Sequence, residues 1–483
     1  MADSGHSVMR IEPGAFENYL HWYPKALNAA IHPLVLFFLH LDNRHIVDRY
    51  CHLHPTVNEV VLSDLLSYQP SFYRWAGVDL INVTNARGKR QMVVIENNSC
   101  PSGQKSMPLP VDHRMQGGYR ELIEQSFKPF LTSSSFRKKG VLAVFYDKNF
   151  METSGYAASM ADVFQEPVYL VAMQDKSNPH IRCTGEYIEI LTAENEWSPV
   201  AAAFRYVTQR PWNRIPTTTA TKIYNPVITC LAGGRNKLMA AKAYEDLNKE
   251  LKPAGLKIRI PETIRDVRKE DVPAWIKHFG GQAVVKIPYS NAGQGVYTIV
   301  NEKELKAFMR LTTPYEKLIV QSLIGNYRWS SKSMEGRFYH LGTVPDHKGE
   351  SYVFDLRMMV CATPSGFRPI SLYSRRAEKP LPDRLTKQDD SWSILGTNLS
   401  RLVADNEWTT DTNRLLLMDR RDFNTLGLGL DDLIEAYVQS IMSTVAIDKM
   451  AIRLTNRKGK FRRKLFASMN QDKTLISEIM KST

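Results

Sequence analysis

The stretch that most constrains this chain is a pair of apolar runs, Gly77–Val83 and Val93–Ile95, joined through the turn-forming Asn85-Ala86-Arg87-Gly88. Two such runs with so short a link are predicted to pair as an antiparallel hairpin. The second run continues into Glu96-Asn97-Asn98-Ser99-Cys100-Pro101-Ser102-Gly103. Side chains at i and i+2 share a strand face, so Glu96 and Asn98 point the same way. A turn centred on Ala86 and Arg87 sets residue 79 opposite residue 94, which places Asp79 on that face too. Asp79, Glu96 and Asn98 then offer hard oxygens, two of them anionic, of the kind that hold Mg²⁺ (or Mn²⁺) together with phosphates. Alone, the pattern also fits a polar hairpin end whose carboxylate is satisfied by its neighbours. The Pro-Ser-Gly that follows and a phosphate-type loop later in the chain favour the metal.

A length of 483 residues allows two to four domains, and 43% hydrophobic residues with 10% aromatic is an ordinary globular balance. The longest apolar run, Pro33–Leu39, is too short to span a bilayer, and the first residues lack the hydrophobic segment of a signal peptide. Cys51, Cys100, Cys183, Cys230 and Cys361 are scattered without a C-x-x-C spacing. That usage fits a reducing, cytoplasmic compartment and argues against a zinc site or a disulfide framework. Cys51-His52-Leu53-His54 is ligand-like, but no second Cys/His pair completes it. The net charge of +13 is compatible with nucleic acid, anionic lipid or phosphorylated substrates. Its densest run, Arg453–Lys464, reads as a solvated, mobile basic tail. No zinc finger, RRM-like aromatic motif or bZIP heptad accompanies it, which argues against a nucleic-acid partner. Nothing in the sequence sets an oligomeric state.

In chain order, residues 1–70 read as helices: Ala15–Leu20, a segment started by Pro33, and Val57–Tyr68. Met115–Phe130 is helical in pattern again. Strand Val141–Tyr146, helix Gly155–Phe164 and strand Val168–Met173 then form the βαβ signature of a parallel sheet, with further strands at Glu186–Leu191 and Ala201–Thr208. From Gly233 the expected order is helix Lys237–Leu251, short strand Lys257–Ile260, helix Val272–Phe279 and a strand at Ala283–Pro288 carrying Lys286. Ser290, Asn291, Ala292, Gly293, Gln294 and Gly295 follow, ahead of a return strand Val296–Val300. Small residues there let backbone N–H groups close on phosphate oxygens, and Lys286 adds a point charge. No Gly-Lys-Ser/Thr ends the loop and a strand follows it, so it is neither a Walker A loop nor a Rossmann fingerprint. A purely structural glycine-rich hairpin is the other reading of the loop alone. The next strand, Lys317–Leu323, ends in Gln321-Ser322-Leu323, whose backbone groups suit an adenine edge.

The order of Lys237 on a helix, Lys286 on a strand, a Ser/Gly loop and a strand ending in a hinge resembles the nucleotide-binding half of the ATP-grasp superfamily. Val353–Val360 with Asp355-Leu356-Arg357, then Gly366 and Ile370–Arg376, is similar to the D-x-R strand, turn and Arg-ended strand of its ribosomal-protein glutamate ligase branch. Thr397-Asn398-Leu399-Ser400-Arg401 resembles that branch's S-N-x-x-R segment. In those relatives a helix, G-V-D and E-x-N-x-x-P-G come next. Here the helix is Leu433–Met442, while the metal motif stands at the N-terminal side as Gly77-Val78-Asp79 and Glu96–Gly103. The chain therefore resembles the circularly permuted ATP-grasp proteins.

The resemblance implies an α/β (α+β) fold: an ATP-grasp core in permuted order, plus an α/β pre-ATP-grasp domain. Its implied divisions are N-terminal helices and metal-binding hairpin at 1–134, the α/β domain at 135–232, the nucleotide-binding subdomain at 233–323, and the remaining core with helices and basic tail at 324–483. It implies ATP and Mg²⁺ as cofactors, with small-molecule carboxylate and amine substrates. Asp79, Glu96 and Asn98 would hold metal; Lys237, Lys286, residues 290–295 and Gln321–Leu323 would hold the nucleotide. Arg357, Arg376 and Asn398 would serve the transferring group. The implied activity is an ADP-forming carboxylate–amine ligase working through an acyl phosphate, with a small-molecule kinase or a nucleotide-dependent binding protein as alternatives. Two departures stand out: Ser322 where relatives often carry an acid, and an insertion at Glu335–Gly349.

Overall fold

The computed structural model describes residues 7–110, 116–132, 140–173, 178–183, 186–208, 214–290, 295–386, 389–404 and 407–480. The expected hairpin forms from Trp75–Asn85 and Arg90–Asn98, within a six-stranded antiparallel sheet. Trp75–Asn85 also pairs with Phe354–Thr363, which in turn pairs with Gly366–Arg376. The hairpin register differs from the expected one. Thr84 lies opposite Arg90, and an irregularity between Asp79 and Leu80 leaves Ile95 as an extra residue, so Asp79 faces Glu96 rather than residue 94. A longer loop and a bulge together move the pairing by two positions without changing which face the acids share.

Alternation along these strands separates core from site. Val78, Leu80, Leu356 and Met358 are fully buried and belong to the main hydrophobic cluster, with Val438, Ile441 and Val445 of the long helix Leu430–Arg453. Gly77, Asp79, Asp355 and Arg357 hold the alternate positions. The helix runs well beyond the expected Leu433–Met442, because no glycine or proline interrupts 430–453. Asp432 in its first turn accepts from the Gly429 N–H at 2.9 Å, and Arg453 occupies its last turn, both favourable to the helix dipole. Truncating a core residue such as Leu80 to alanine would cost about 2–5 kcal/mol.

A four-stranded antiparallel sheet lies alongside, in the order Thr263–Arg268, Lys317–Ser322, Ala283–Lys286 and Val296–Ile299. The helix Lys237–Leu251 runs over the predicted span and is capped by Asn236, whose side chain accepts from the Met239 N–H at 3.2 Å. Lys257–Ile260 is not a strand. Its Ile258 and Arg259 N–H groups go to the side chains of Asn248 and Gln439, at 2.7 and 2.8 Å, which leaves no ladder to form.

The third sheet is the expected α/β unit, with Val141–Tyr146 parallel to both Val168–Ala172 and Trp197–Tyr206 around the helix Phe150–Phe164. Strand Val8–Ile11 adds to its edge, antiparallel to Val168–Ala172, so the first residues serve this sheet and not only the hairpin core. The basic segment is solvated, and two helices with buried apolar residues follow it. Arg457, Lys458, Lys460 and Arg462 are exposed, while helices Arg463–Met469 and Lys473–Met480 bury Phe466, Leu475 and Ile479. No helix among the described residues is long and apolar enough to cross a membrane.

Candidate functional site

A cavity of about 640 Å³ opens between the six-stranded sheet, the four-stranded sheet and the α/β unit. That size suits a nucleotide-sized ligand. Its floor is a lateral row across four neighbouring strands: Glu96 opposite Asp79, Asp79 opposite Arg357, and Arg357 opposite Tyr373. Arg357 donates from Nε to Asp79 Oδ1 at 2.6 Å and from Nη2 to Oδ2 at 2.7 Å, and from Nη1 to the Tyr373 hydroxyl at 3.0 Å. Arg375 reaches the same Asp79 Oδ2 at 3.0 Å and also pairs with Asp355. Burial pushes the Asp79 carboxyl up, but Arg357 and Arg375 outweigh it and hold the group down at about 2.

Two lysines reach this row from the neighbouring elements. Lys237, in the first turn of its helix, lies 3.2 Å from Glu96 Oε1 and donates to Ser290 Oγ at 3.0 Å. Lys286 ends its strand and donates to the Ile95 carbonyl at 3.4 Å, although 191 residues separate the two. Burial lowers the Lys286 amine to about 8 against the upward pull of Glu96. Burial raises Glu96, but Lys237, with Arg235 and Lys286, holds it below the usual carboxylate range. Asn98 is buried beside them, and among the described residues its amide nitrogen has no hydrogen-bond partner.

The remaining expected residues divide. Ser290 is buried at the loop base, and Gly295 closes the loop by accepting from the Ile287 N–H at 2.8 Å with φ at +70°. A Cβ at Gly295 would meet Ile287 Cγ1 at 2.2 Å. Asn291, Ala292, Gly293 and Gln294 lie outside the described residues. Gln321, Ser322 and Leu323 line the cavity. The hinge reading needs correction at two of its N–H groups: that of Ser322 is held by the Glu262 carbonyl at 2.9 Å and that of Leu323 by Ser331 Oγ at 2.7 Å. Neither is free for a base. Asn398 lines the cavity, in a loop tied to Asp355 by the Thr397 hydroxyl at 2.9 Å.

Arg376 is corrected to Arg375. Asp355 and Arg357 face Arg375 and Tyr373, so the odd-numbered residues of Gly366–Arg376 share the cavity face there. Arg376 points elsewhere, its guanidinium 4.5 Å from the Tyr352 ring. Sequence reasoning also missed Lys105, Lys148 and Arg235, which line the cavity, and Glu152, which shapes its edge. Fully buried Glu152 accepts from the Gly103 and Gln104 N–H groups, both at 2.8 Å, and from Ser102 Oγ and Asn149 Nδ2, both at 2.7 Å. Arg375 was open to the alternation rule. The others come from loops and a helix start, where no periodicity points.

Among the described residues, no group of three or more His, Cys, Asp or Glu side chains is arranged to hold a metal ion. The fit to Mg²⁺ rests instead on two carboxylates and an amide. Glu96 and Asn98 supply side-chain oxygens on one strand face, while the Asn98 amide nitrogen, without a partner among the described residues, is a donor that suits a phosphate oxygen. Asp79 already receives arginine protons on both oxygens, so it can contribute only while shared with Arg357 and Arg375.

No family profile and no curated protein matches the chain. Solved structures that it is similar to include a RimK-domain ATP-grasp protein from Sphaerobacter thermophilus, with TM-score 0.28 and 14% identity over 48% of this chain and 89% of that one. A glutathione-synthetase-like effector from Globodera pallida aligns with TM-score 0.37 and 10% identity over 71% of this chain and 81% of that one. D-alanyl-alanine synthetase A from Vibrio cholerae aligns with TM-score 0.30 and 10% identity over 49% and 89%.

Proposed function

We propose that this chain is an ATP-grasp enzyme in circularly permuted order, a carboxylate–amine ligase that activates an acid as its acyl phosphate and releases ADP and phosphate. The observation that carries the reading is the meeting of Lys237 and Lys286 with Glu96 and Asn98 on one wall of the cavity, although the lysines and the hairpin lie far apart in sequence. Lysines suited to phosphates beside oxygens suited to a hard cation are what phosphoryl transfer needs, since it depends on positioning and charge neutralisation more than on a protein nucleophile. Glu96 and Asn98, with Asp79 shared, would hold Mg²⁺, which when bound neutralises the β and γ phosphates.

The chain's own groups do the rest. Lys237 and Lys286 exchange Glu96 and the Ile95 carbonyl for phosphate oxygens. Apolar Ile81, Val284, Leu323 and Ile324 wall the cavity against water around the base. Arg357 is held in one orientation by Asp79 and Tyr373, which leaves it placed to steady the transferring phosphoryl group and then the oxyanion formed when the amine attacks. Asn398 adds a polar contact from the opposite rim. No serine or cysteine nucleophile is required.

Hydroxylamine trapping tests the reading. Full-length protein with ATP, Mg²⁺ and a panel of acids is expected to yield a hydroxamate together with ADP. A stable phosphate ester in place of hydroxamate would assign a kinase on the same scaffold.

A further inference from the structure

The three carboxylates that line the cavity are each matched by a cation: Asp79 by Arg357, Asp355 by Arg375, and Glu96 by Lys237. At the other end, around the loop Pro101–Ser106, three cations, Lys105, Lys148 and Arg235, outnumber the carboxylate of Glu152, whose oxygens are taken by the Gly103 and Gln104 N–H groups, the Ser102 hydroxyl and the Asn149 amide. Lys148 lines the cavity there and is accessible from it, and among the described residues it makes no ion pair or hydrogen bond through its amine. Lys105 also lines this end, and among the described residues it too has no carboxylate partner. It donates to the Asn149 side-chain oxygen and lies 5.0 Å from the Tyr23 ring centroid. Arg235 donates to the Cys100 carbonyl at 3.3 Å on the same wall. The helix Phe150–Phe164 starts beside Lys148, so its positive end adds to the field. Lys148 feels Arg235 and Arg357 as like charges, with Cys100 and Asp147 pulling the other way. Cations in excess of the carboxylates around them cost stability, and an incoming anion relieves that cost. The loop between them is rigid, because Glu152 fixes the Gly103 and Gln104 N–H groups. Arg357 touches that loop, donating to the Ser102 carbonyl at 3.3 Å, so a group held here lies next to the proposed transfer position.

We propose that the acid substrate carries a second anionic group, a carboxylate or a phosphate, and that Lys148 and Lys105 hold it at the loop end of the cavity while the reacting carboxylate lies beside Arg357. The inference rests on the ligase reading for the reacting carboxylate but not for the anion site itself. Calorimetry on the full chain, with Mg²⁺ and a non-hydrolysable ATP analogue present, would compare butyrate with succinate and with 3-phosphopropionate. The two dianions are expected to bind about tenfold or more tighter than butyrate, as one charge-assisted contact implies. Lys148→Gln and Lys105→Gln are each expected to shrink that preference while leaving the analogue's affinity unchanged, and Lys148→Arg to restore it. The stronger of the two dianions would identify the second group. Equal binding of all three acids, binding of none, or a preference intact in both glutamine variants would overturn the proposal. Failure of hydroxamate trapping with a lysine-dependent dianion preference intact would remove the ligase reading and leave the anion site standing.

Discussion

Arg357 clasps Asp79 through two parallel hydrogen bonds of 2.6 and 2.7 Å, directly across adjacent strands and 278 residues away in sequence. The pair joins the hairpin that carries Glu96 to the strand that carries Asp355, so the metal side and the transfer side of the cavity share one rigid row. A buried pair of this kind contributes less by its own attraction than by what its loss leaves behind. Arg357→Met is therefore expected to lower unfolding free energy by about 3 kcal/mol, because Asp79 keeps only Arg375. Chemical denaturation measures this; a stability equal to wild type would mean that the row is not structural.

Acid dependence follows from the same pair. The folded Asp79 carboxyl titrates at about 2, below its ordinary 3.8, so its stabilising contribution is fully present above pH 3.8 and is lost as pH falls through about 2. The size is roughly 2 kcal/mol at neutral pH. In Arg357→Met, burial acts with less opposition, and the acid limb of the denaturation midpoint is expected to move to higher pH. An unmoved limb would assign the acid sensitivity to other carboxylates.

Lys286 titrates in the same sense, but at higher pH. Its amine is depressed to about 8 from 10.5, so folding gains stability as pH rises between those values, and the charge available to a phosphate is lost over the lower part of that range. Affinity for ATP is expected to fall as pH rises through about 8 in the wild type, whereas Lys286→Met should bind weakly with little dependence there. Lys148, at the loop end of the cavity, is expected to have no effect on nucleotide binding at any pH in that range. Calorimetric titrations across that range separate the two lysines.

Much of this site was legible before any coordinates. The Lys237–Leu251 helix and the Val141–Tyr146 strand fall where periodicity and apolar runs place them, and Glu96, Asn98 and Lys286 share the cavity expected of them. What was not legible depends on register and on distant partners. The bulge that brings Glu96 opposite Asp79 leaves no mark in composition, since any residue can stand where Ile95 does. Arg375 and Arg376 are adjacent and chemically alike; only the pairing with Asp355 decides between them. Lys257–Ile260 has the residues of a strand but loses its ladder to side chains of Asn248 and Gln439, which lie on helices elsewhere in the chain.

Glu152 predicts a case in which activity and stability fall together. One of its carboxylate oxygens, Oε1, accepts from both buried N–H groups of Gly103 and Gln104 in the Ser102–Gln104 turn. Glu152→Ala strands both donors and is expected to cost about 2–4 kcal/mol. Because Arg357 leans on the Ser102 carbonyl, kcat should also fall, even at temperatures where the variant remains folded. Recovery of stability without recovery of kcat in Glu152→Gln would show that the charged form is needed to set the turn.

Glu96 gives the sharpest test of the assembled site. It is the one cavity carboxylate paired to lysine rather than arginine, and it sits between Lys237, Lys286 and the amide of Asn98. Glu96→Gln keeps the shape and removes the charge. Two effects then oppose each other. The lysines lose their counter-charge and stay available to phosphates, so metal-free ATP should bind as well as in the wild type or better. The oxygen set loses one of its two anions, so Mg²⁺-dependent turnover is expected to drop by about two orders of magnitude or more. ATP affinity without metal, measured beside ADP release at limiting Mg²⁺, reads the two effects separately. Turnover equal to wild type at limiting Mg²⁺ would break the link between hairpin and nucleotide loop on which the permuted ATP-grasp reading depends.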